Sequence, residues 1–191
     1  MSPSQQDRRE ATRGALLTAG RRLFAERGFA GVPADEIVSA AGVTRGALHH
    51  HFGDKRGLFR VVFEQLEGEI VTDLGRLVGE GSDDLVRRAL AAFLDICERP
   101  DVRRIALTDA PGVLGWQTWR EIEAEHGLGL LIAMLADSPT VSRATPAPVL
   151  AQLVLGSITE AALLIAHADD RAAARKQAEA SLLALYGDLL P

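Results

Sequence analysis

Apolar residues recur three and four positions apart along almost the whole chain, and no run of four or more β-branched or aromatic residues alternates with polar ones between turn signals. Side chains spaced that way share one face of a helix, whereas a half-buried strand needs a period of two. The chain therefore reads as all-α, with about nine helices marked off by caps and breakers. Its 191 residues, 47% of them hydrophobic, suffice for one large domain or two small ones. The N-terminus is polar, and the longest uncharged apolar stretch, Ala144 to Thr159, is shorter than the roughly 18 residues of a membrane span. A soluble, cytoplasmic protein with no membrane partner is the expectation.

Charge is distributed unevenly. Residues 1–60 carry 10 Lys/Arg against 6 Asp/Glu, which leaves 11 and 20 for the remainder, so a segment of +4 precedes one of −9 within the total of −5. Only the first third suits a polyanion. Cys97 is the single cysteine, which excludes an intrachain disulfide and a zinc site built on several thiolates; its simplest reading is a small buried hydrophobe.

From about Arg8 to Arg27, Ala15, Leu16, Ala19, Leu23 and Phe24 form one helix face, and Gly28 ends it as the left-handed residue of a Schellman cap in which Phe29 meets Phe24. A second helix is predicted from Pro33 to about Ala41, with Asp35 and Glu36 at the positive end of its dipole. Gly42 supplies a tight turn, and Thr44 N-caps a third helix running to about Phe52. Two short helices joined by a glycine-containing turn are a helix-turn-helix. Asp54 then caps a long helix from Lys55 to Val78, with Gly68 and Gly75 as weak points, and Gly79 to Ser82 break it. Further helices are predicted over Asp83–Glu98, Asp101–Thr108 (ended by Pro111 and Gly112), Trp116–Ala136, Thr145–His167, and from Asp169-Asp170 to about Gly187.

A helix that enters the major groove needs hydrogen-bonding side chains outside, small residues at the closest approach and apolar anchors beneath. In Thr44–Phe52, Leu48 and Phe52 face inward with Ile37, Ala41 and Val43, while Arg45 and His49 share another face. Arg45 is the candidate for bidentate contact with guanine, and Thr44, His49, His50 and Lys55 for phosphates. Consecutive His49, His50 and His51 point about 100° apart, which fits poorly with the i and i+4 spacing of metal-ligand pairs. No metal and no cofactor is expected. Arg21 and Arg22 read as a solvated helix face.

ALLTAGRRLFAERGF followed by DEIVSAAGVTRGALHHHFGDKRGLF resembles the N-terminal signature of the tetracycline-repressor (TetR) regulators over about Leu16 to Phe59. The resemblance implies that Thr44, Arg45, Gly46, Ala47, His49, His50 and Lys55 occupy DNA-contacting positions. Two positions depart from the pattern: His49 stands where the family commonly has Tyr, and Val32-Pro33 where it has a hydroxyl residue. The implied organisation is a helix-turn-helix domain over 1–54 and a helical effector-binding and dimerisation domain over 55–191. The implied partners are a double-stranded operator, a second copy of the chain and an unidentified small-molecule effector.

Asp109-Ala-Pro-Gly-Val-Leu-Gly-Trp-Gln-Thr-Trp-Arg is similar to a stretch in one subset of these regulators, where it borders the effector cavity. Phe93, Trp116, Trp119, Arg120, His126 and Met134 are the candidate pocket, although both tryptophans also suit a plain core. Leu150, Leu153, Ser157, Ala161 and Leu164 stripe one helix, and Ala178, Leu182 and Leu185 the last; the family pattern pairs both with their twofold mates. Gln152 and Glu160 are polar in that apolar context and are left open among exposure, pairing across a dimer and contact with an effector. An enzyme is the rival class, but the chain has no Gly-x-Ser-x-Gly, phosphate loop, Gly-x-Gly-x-x-Gly or paired metal-ligand spacing. The other rival is a helical small-molecule-binding or interaction protein whose helix-turn-helix is only structural.

Overall fold

The computed structural model describes residues 4–78, 85–136 and 146–186; within them the chain forms helices and turns, with no strand among the described residues. The all-α expectation, with its N-terminal helix-turn-helix, holds. The predicted break at Gly79 to Ser82, the helix start at Asp83, and the roles of Thr145 and Gly187 lie outside the described residues.

Helix α1 spans Gln5–Arg27 and begins earlier than its periodicity indicates, because Ser4 and Asp7 form a capping box: Ser4 Oγ accepts from Asp7 N and Asp7 accepts from Ser4 N. The Ser4 N–H, and then the Ser4 side chain, lower the Asp7 carboxyl's pKa. Gly28 ends α1 with φ 72° and ψ 168°, so the Schellman geometry is not adopted. Its Phe24–Phe29 contact does form, with ring centroids 5.9 Å apart. The Phe29 N–H that a Schellman motif would return to the helix instead donates to Asp109 Oδ2 at 2.6 Å. A side chain at position 28 would also strike the Arg104 guanidinium.

Helix α2 is Ala34–Ala40, with Pro33 as N-cap rather than first helical residue, and α3 is Arg45–Phe52. Gly42, at φ 66°, makes the turn between them. Helix α4, Lys55–Val78, runs through Gly68 and Gly75 without interruption. At Gly68 an added Cβ would lie 3.8 Å from the His126 imidazole, an ordinary contact distance, so His126 packs against α4 there. The remaining elements are α5 (Leu85–Glu98), α6 (Pro100–Val102), a π-helical segment (Arg103–Asp109), α7 (Ala110–Leu114), α8 (Trp116–Ala136), α9 (Ala147–His167) and α10 (Arg171–Tyr186).

The predicted stop at Pro111 and Gly112 is not made. Pro111 falls in the first turn of α7, where its missing N–H costs little, and the wider π turn precedes it.

Two units emerge, divided within α4: residues up to Leu66 with Pro100–Trp116 form the first, and Glu67–Arg99 with the chain from Gln117 onward forms the second. The first is built on fully buried Leu16, Phe24, Ile37, Leu58, Phe59 and Phe63. Phe59 packs edge-on against both Phe24 and Phe29, each at 5.2 Å. The segment Pro100–Leu114 is fastened in this unit by Arg21–Asp101 at 2.8 Å and by Arg56, whose guanidinium donates to the carbonyls of Val113 and Leu114 at 2.9 and 3.1 Å.

In the second unit Leu90, Leu94, Ala161, Ile165 and Leu182 form a buried cluster against which Phe93, Ala178 and Tyr186 pack. Arg175 bridges Asp95 at 2.6 Å and Glu98 at 2.8 Å, joining α10 to α5. Helix α9 is long and apolar enough to cross a membrane by length and composition once its single acid, Glu160, is allowed within the span. Much of that apolar character serves the protein's own core: Ala151, Val154, Leu155, Ala161, Ala162 and Ile165 are buried.

Candidate functional site

The recognition-helix geometry follows from local chemistry. Thr44 caps α3 by accepting from Ala47 N at 3.3 Å. Leu48, 3% exposed, anchors the helix, and Phe52 is half-buried with the Arg13 guanidinium 5.5 Å from its ring centroid. The opposite face is left open: Thr44, Arg45, Gly46, His49 and His50 are exposed and Ala47 is partly so. Arg45 points into solvent and pairs with Asp35 on α2 at 3.2 Å, a contact across the helix-turn-helix. His51 turns back towards α1; the start of burial there, then His50, Arg9 and Arg13, lower its pKa. Its ring stacks edge-on against His50 at 5.2 Å.

Lys55 makes contacts within the fold that the sequence pattern does not reveal. Its ammonium donates to the carbonyls of Phe29 and Val32, both at 2.9 Å, and lies 4.0 Å from the Phe29 ring centroid. It thus clamps the α1–α2 connection to the start of α4, with the Arg27–Glu36 ion pair holding the same connection from its other side.

The candidate pocket residues differ in burial. Trp116 is 61% exposed, whereas Trp119 is 1% exposed. Phe93 belongs to the α5–α9–α10 core. Met134 is half-buried further along α8. Arg120 and His126 lie nearer to a set of polar groups in the second unit's interior. Arg120, 5.9 Å from the Trp119 ring centroid, is ion-paired with Glu123, and Glu123 accepts from the Thr159 hydroxyl on α9. Burial pushes the Glu123 carboxyl up, against the pull of Thr159 and Arg120.

Glu67, on α4, was not among the expected site residues. Burial and the neighbouring Glu123 push its carboxyl up to about 8. Burial, then Glu67 and Glu123, also raise the Cys97 thiol, so Cys97 is the buried, inert residue anticipated. The signal for Glu67 was present in the sequence: Phe59, Phe63 and Ile70 mark the inner face of α4, and a residue four after Phe63 falls on it.

The dimer candidates separate by exposure. Leu153, Leu164 and Leu185 are 66%, 60% and 61% exposed, and Val149 joins them. Leu150, Ser157 and Ala178 are half-buried, and Ser157 is hydrogen-bonded to Tyr186. Ala161 and Leu182 are buried within the chain's own core, so neither is a surface residue of the single chain. Gln152 and Glu160 are exposed.

Known proteins agree with this arrangement. Residues 16–62 match the family model "Bacterial regulatory proteins, tetR family", and residues 84–189 match "Tetracyclin repressor-like, C-terminal domain". A crystal structure of a TetR-family transcriptional regulator from Pectobacterium atrosepticum is similar over 98% of both chains, at 35% identity and a TM-score of 0.81. The Tn10 TetC protein of Escherichia coli is 26% identical over 69% of this chain and 68% of its own length. The transcriptional repressor AcnR of Corynebacterium glutamicum is 31% identical over 56% of this chain. The chain thus spans about two thirds of TetC and, at 53%, about half of AcnR.

Proposed function

The chain belongs to the tetR family of bacterial regulatory proteins, and from that premise we propose that it is a homodimeric transcriptional repressor that leaves a palindromic operator when a small molecule binds its second unit. One observation carries the DNA reading: the solvent face of α3 presents Thr44, Arg45, Gly46, His49 and His50 above a buried Leu48, in the first third of the chain, whose charge is positive. Gly46 and Ala47 keep that face low enough for close approach to bases. Arg45 reads a guanine edge, while Thr44, His49 and His50 take phosphates. The role of Lys55 at DNA is secondary to its clamp on the α1–α2 connection.

Chain connectivity supports the switch. The path leaves the second unit after α5, passes through Pro100–Trp116 in the first, where Asp109 holds the Phe29 N–H, and returns along α8. A ligand that displaces either end of this detour acts on the segment anchoring the end of α1, and its effect equals its differential affinity for the two states.

Arg45→Ala tests the base-reading assignment. The exposed Asp35 pair is worth at most about 1 kcal/mol, so its loss scarcely affects folding. Sequence preference should fall by about 1–3 kcal/mol at one position per half-site while binding to random DNA is largely kept. Equal weakening on operator and random DNA would assign Arg45 to phosphate instead.

A further inference from the structure

Among the described residues Glu67 has no hydrogen bond and no ion pair; its one recorded neighbour in charge is Glu123, of the same sign. No fully buried side-chain nitrogen or oxygen among the described residues lacks a partner, so the Glu67 oxygens keep accessible surface although protein surrounds the side chain on nearly all sides. A group enclosed in that way borders an internal space. Four helices bring polar groups to this interior: Glu67 on α4, Cys97 on α5, Arg120 and Glu123 on α8, and Thr159 on α9, with His126 of α8 against α4 at Gly68. The same helices are otherwise buried through Ile70, Leu94, Trp119, Ile122 and Leu155.

The charges select among ligand classes. Arg120 is already neutralised by Glu123, and the Glu123 oxygens are further engaged by Thr159. An anionic ligand would meet two carboxyl groups and, of the Lys and Arg residues described at this interior, only Arg120, which is already paired. A neutral apolar ligand would leave the Glu67 carboxyl without a partner and would oppose its ionisation as pH rises. A single positive charge balances the set.

We propose that Glu67 is the polar anchor of a site for an amphipathic organic cation, a molecule with an apolar body and a protonated amine that pairs with the Glu67 carboxylate. The inference rests on the reading of the second unit as effector-binding and names the effector's chemical class. Near neutral pH Glu67 holds a proton in the empty site, so binding of the ammonium releases one proton to solvent, and affinity rises with pH until Glu67 is ionised beforehand. The other groups facing this interior are Glu123 and Arg120, which stay paired, the Cys97 thiol, which stays neutral, and His126.

The test is calorimetric titration of the full chain with phenylbutylamine, phenylbutanol and phenylbutyrate, which share an apolar body and differ in charge. At about pH 8.5 the amine should bind at least roughly tenfold more tightly than the alcohol, with phenylbutyrate weakest, and its advantage should shrink by about pH 6.5. Paired buffers of different ionisation enthalpy should report about one proton released per amine near neutrality. Glu67→Gln should bring the amine and alcohol affinities together. Equal binding of amine and alcohol to the unmodified protein, no binding of the amine, or an amine preference that survives Glu67→Gln would overturn the proposal. The first two need no variant to fold. Operator binding measured in parallel separates the two readings: a Glu67-dependent amine site that leaves DNA affinity unchanged supports the ligand class and removes the switch, whereas operator release by another compound with all three probes silent does the reverse.

Discussion

Replacing Leu164 and Leu185 together by Glu converts the protein from a dimer to a folded monomer and lowers operator affinity by about 100-fold or more. Both side chains stand about 60% exposed on α9 and α10, so a carboxylate at either position meets water in the single chain and leaves the core of Leu90, Leu94, Ala161, Ile165 and Leu182 undisturbed. In the proposed α9–α10 interface the same positions are covered, and each buried leucine contributes roughly 1.5–3 kcal/mol before the cost of desolvating a carboxylate is added. DNA affinity falls because one protomer can no longer hold its partner's recognition helix near the second half-site. Leu182→Glu is not an equivalent test: Leu182 is 3% exposed within its own protomer, and a charge there unfolds the unit instead of separating two of them. Sedimentation at micromolar concentration distinguishes the outcomes. A well-folded monomer for the unmodified chain, or a double variant that remains dimeric, would remove α9 and α10 as the interface.

Glu67→Gln should raise the melting temperature at pH 8 and leave it nearly unchanged at pH 5. The folded pKa of about 8 lies above the ordinary carboxylate value, so the native state keeps a proton that the unfolded chain has already released. For a group shifted in this direction, stability is fully present below the unfolded pKa and is lost as pH rises towards the folded pKa. The loss approaches about 1.4 kcal/mol per pH unit across that window, with an upper bound of roughly 5 kcal/mol. Glutamine has nearly the same shape and carries no such penalty, so its advantage grows from about pH 5 to about pH 8 and then levels off. At roughly 2–4 °C per kcal/mol, the difference at the upper end is several degrees. Thermal melts at fixed protein concentration measure it. A variant less stable than the parent at pH 8 would show that the carboxylate is stabilised by interactions other than those described.

Where one local pattern decides the structure, the sequence was legible. The cap at Thr44, the turn at Gly42 and the buried Leu48 specify the helix-turn-helix within a short stretch, and the open face of α3 follows from the spacing of Arg45 and His49. Distant partners were not legible. Gly28 ends α1 as expected, but Asp109, 80 residues on, takes the Phe29 N–H and thereby changes the cap. Lys55 has the chemistry of a phosphate ligand, yet its Nζ meets two carbonyls more than 20 residues upstream. Pro111 is a breaker by composition, while the π turn before it lets the helical path continue. On α9 and α10, periodicity finds apolar positions without separating those that face the protein's own core from those that face outward, which is why Ala161 and Leu182 joined Leu153, Leu164 and Leu185 among the interface candidates. Glu67 was missed for a related reason: its spacing from Phe63 puts it on the inner face of α4, but Glu123, the carboxyl beside it, comes from a helix more than 50 residues on.

The most direct measurement is selection of binding sites for the unmodified full-length chain from a random DNA pool, followed by determination of binding stoichiometry on the enriched sequence. A dimer that reads DNA through α3 should enrich a palindrome whose half-sites lie about one helical turn apart, roughly 34–36 Å, and bind it as two protomers far more tightly than random DNA. Enrichment of no common sequence, or equal affinity for selected and random DNA, would contradict the assignment of this protein as a sequence-specific regulator.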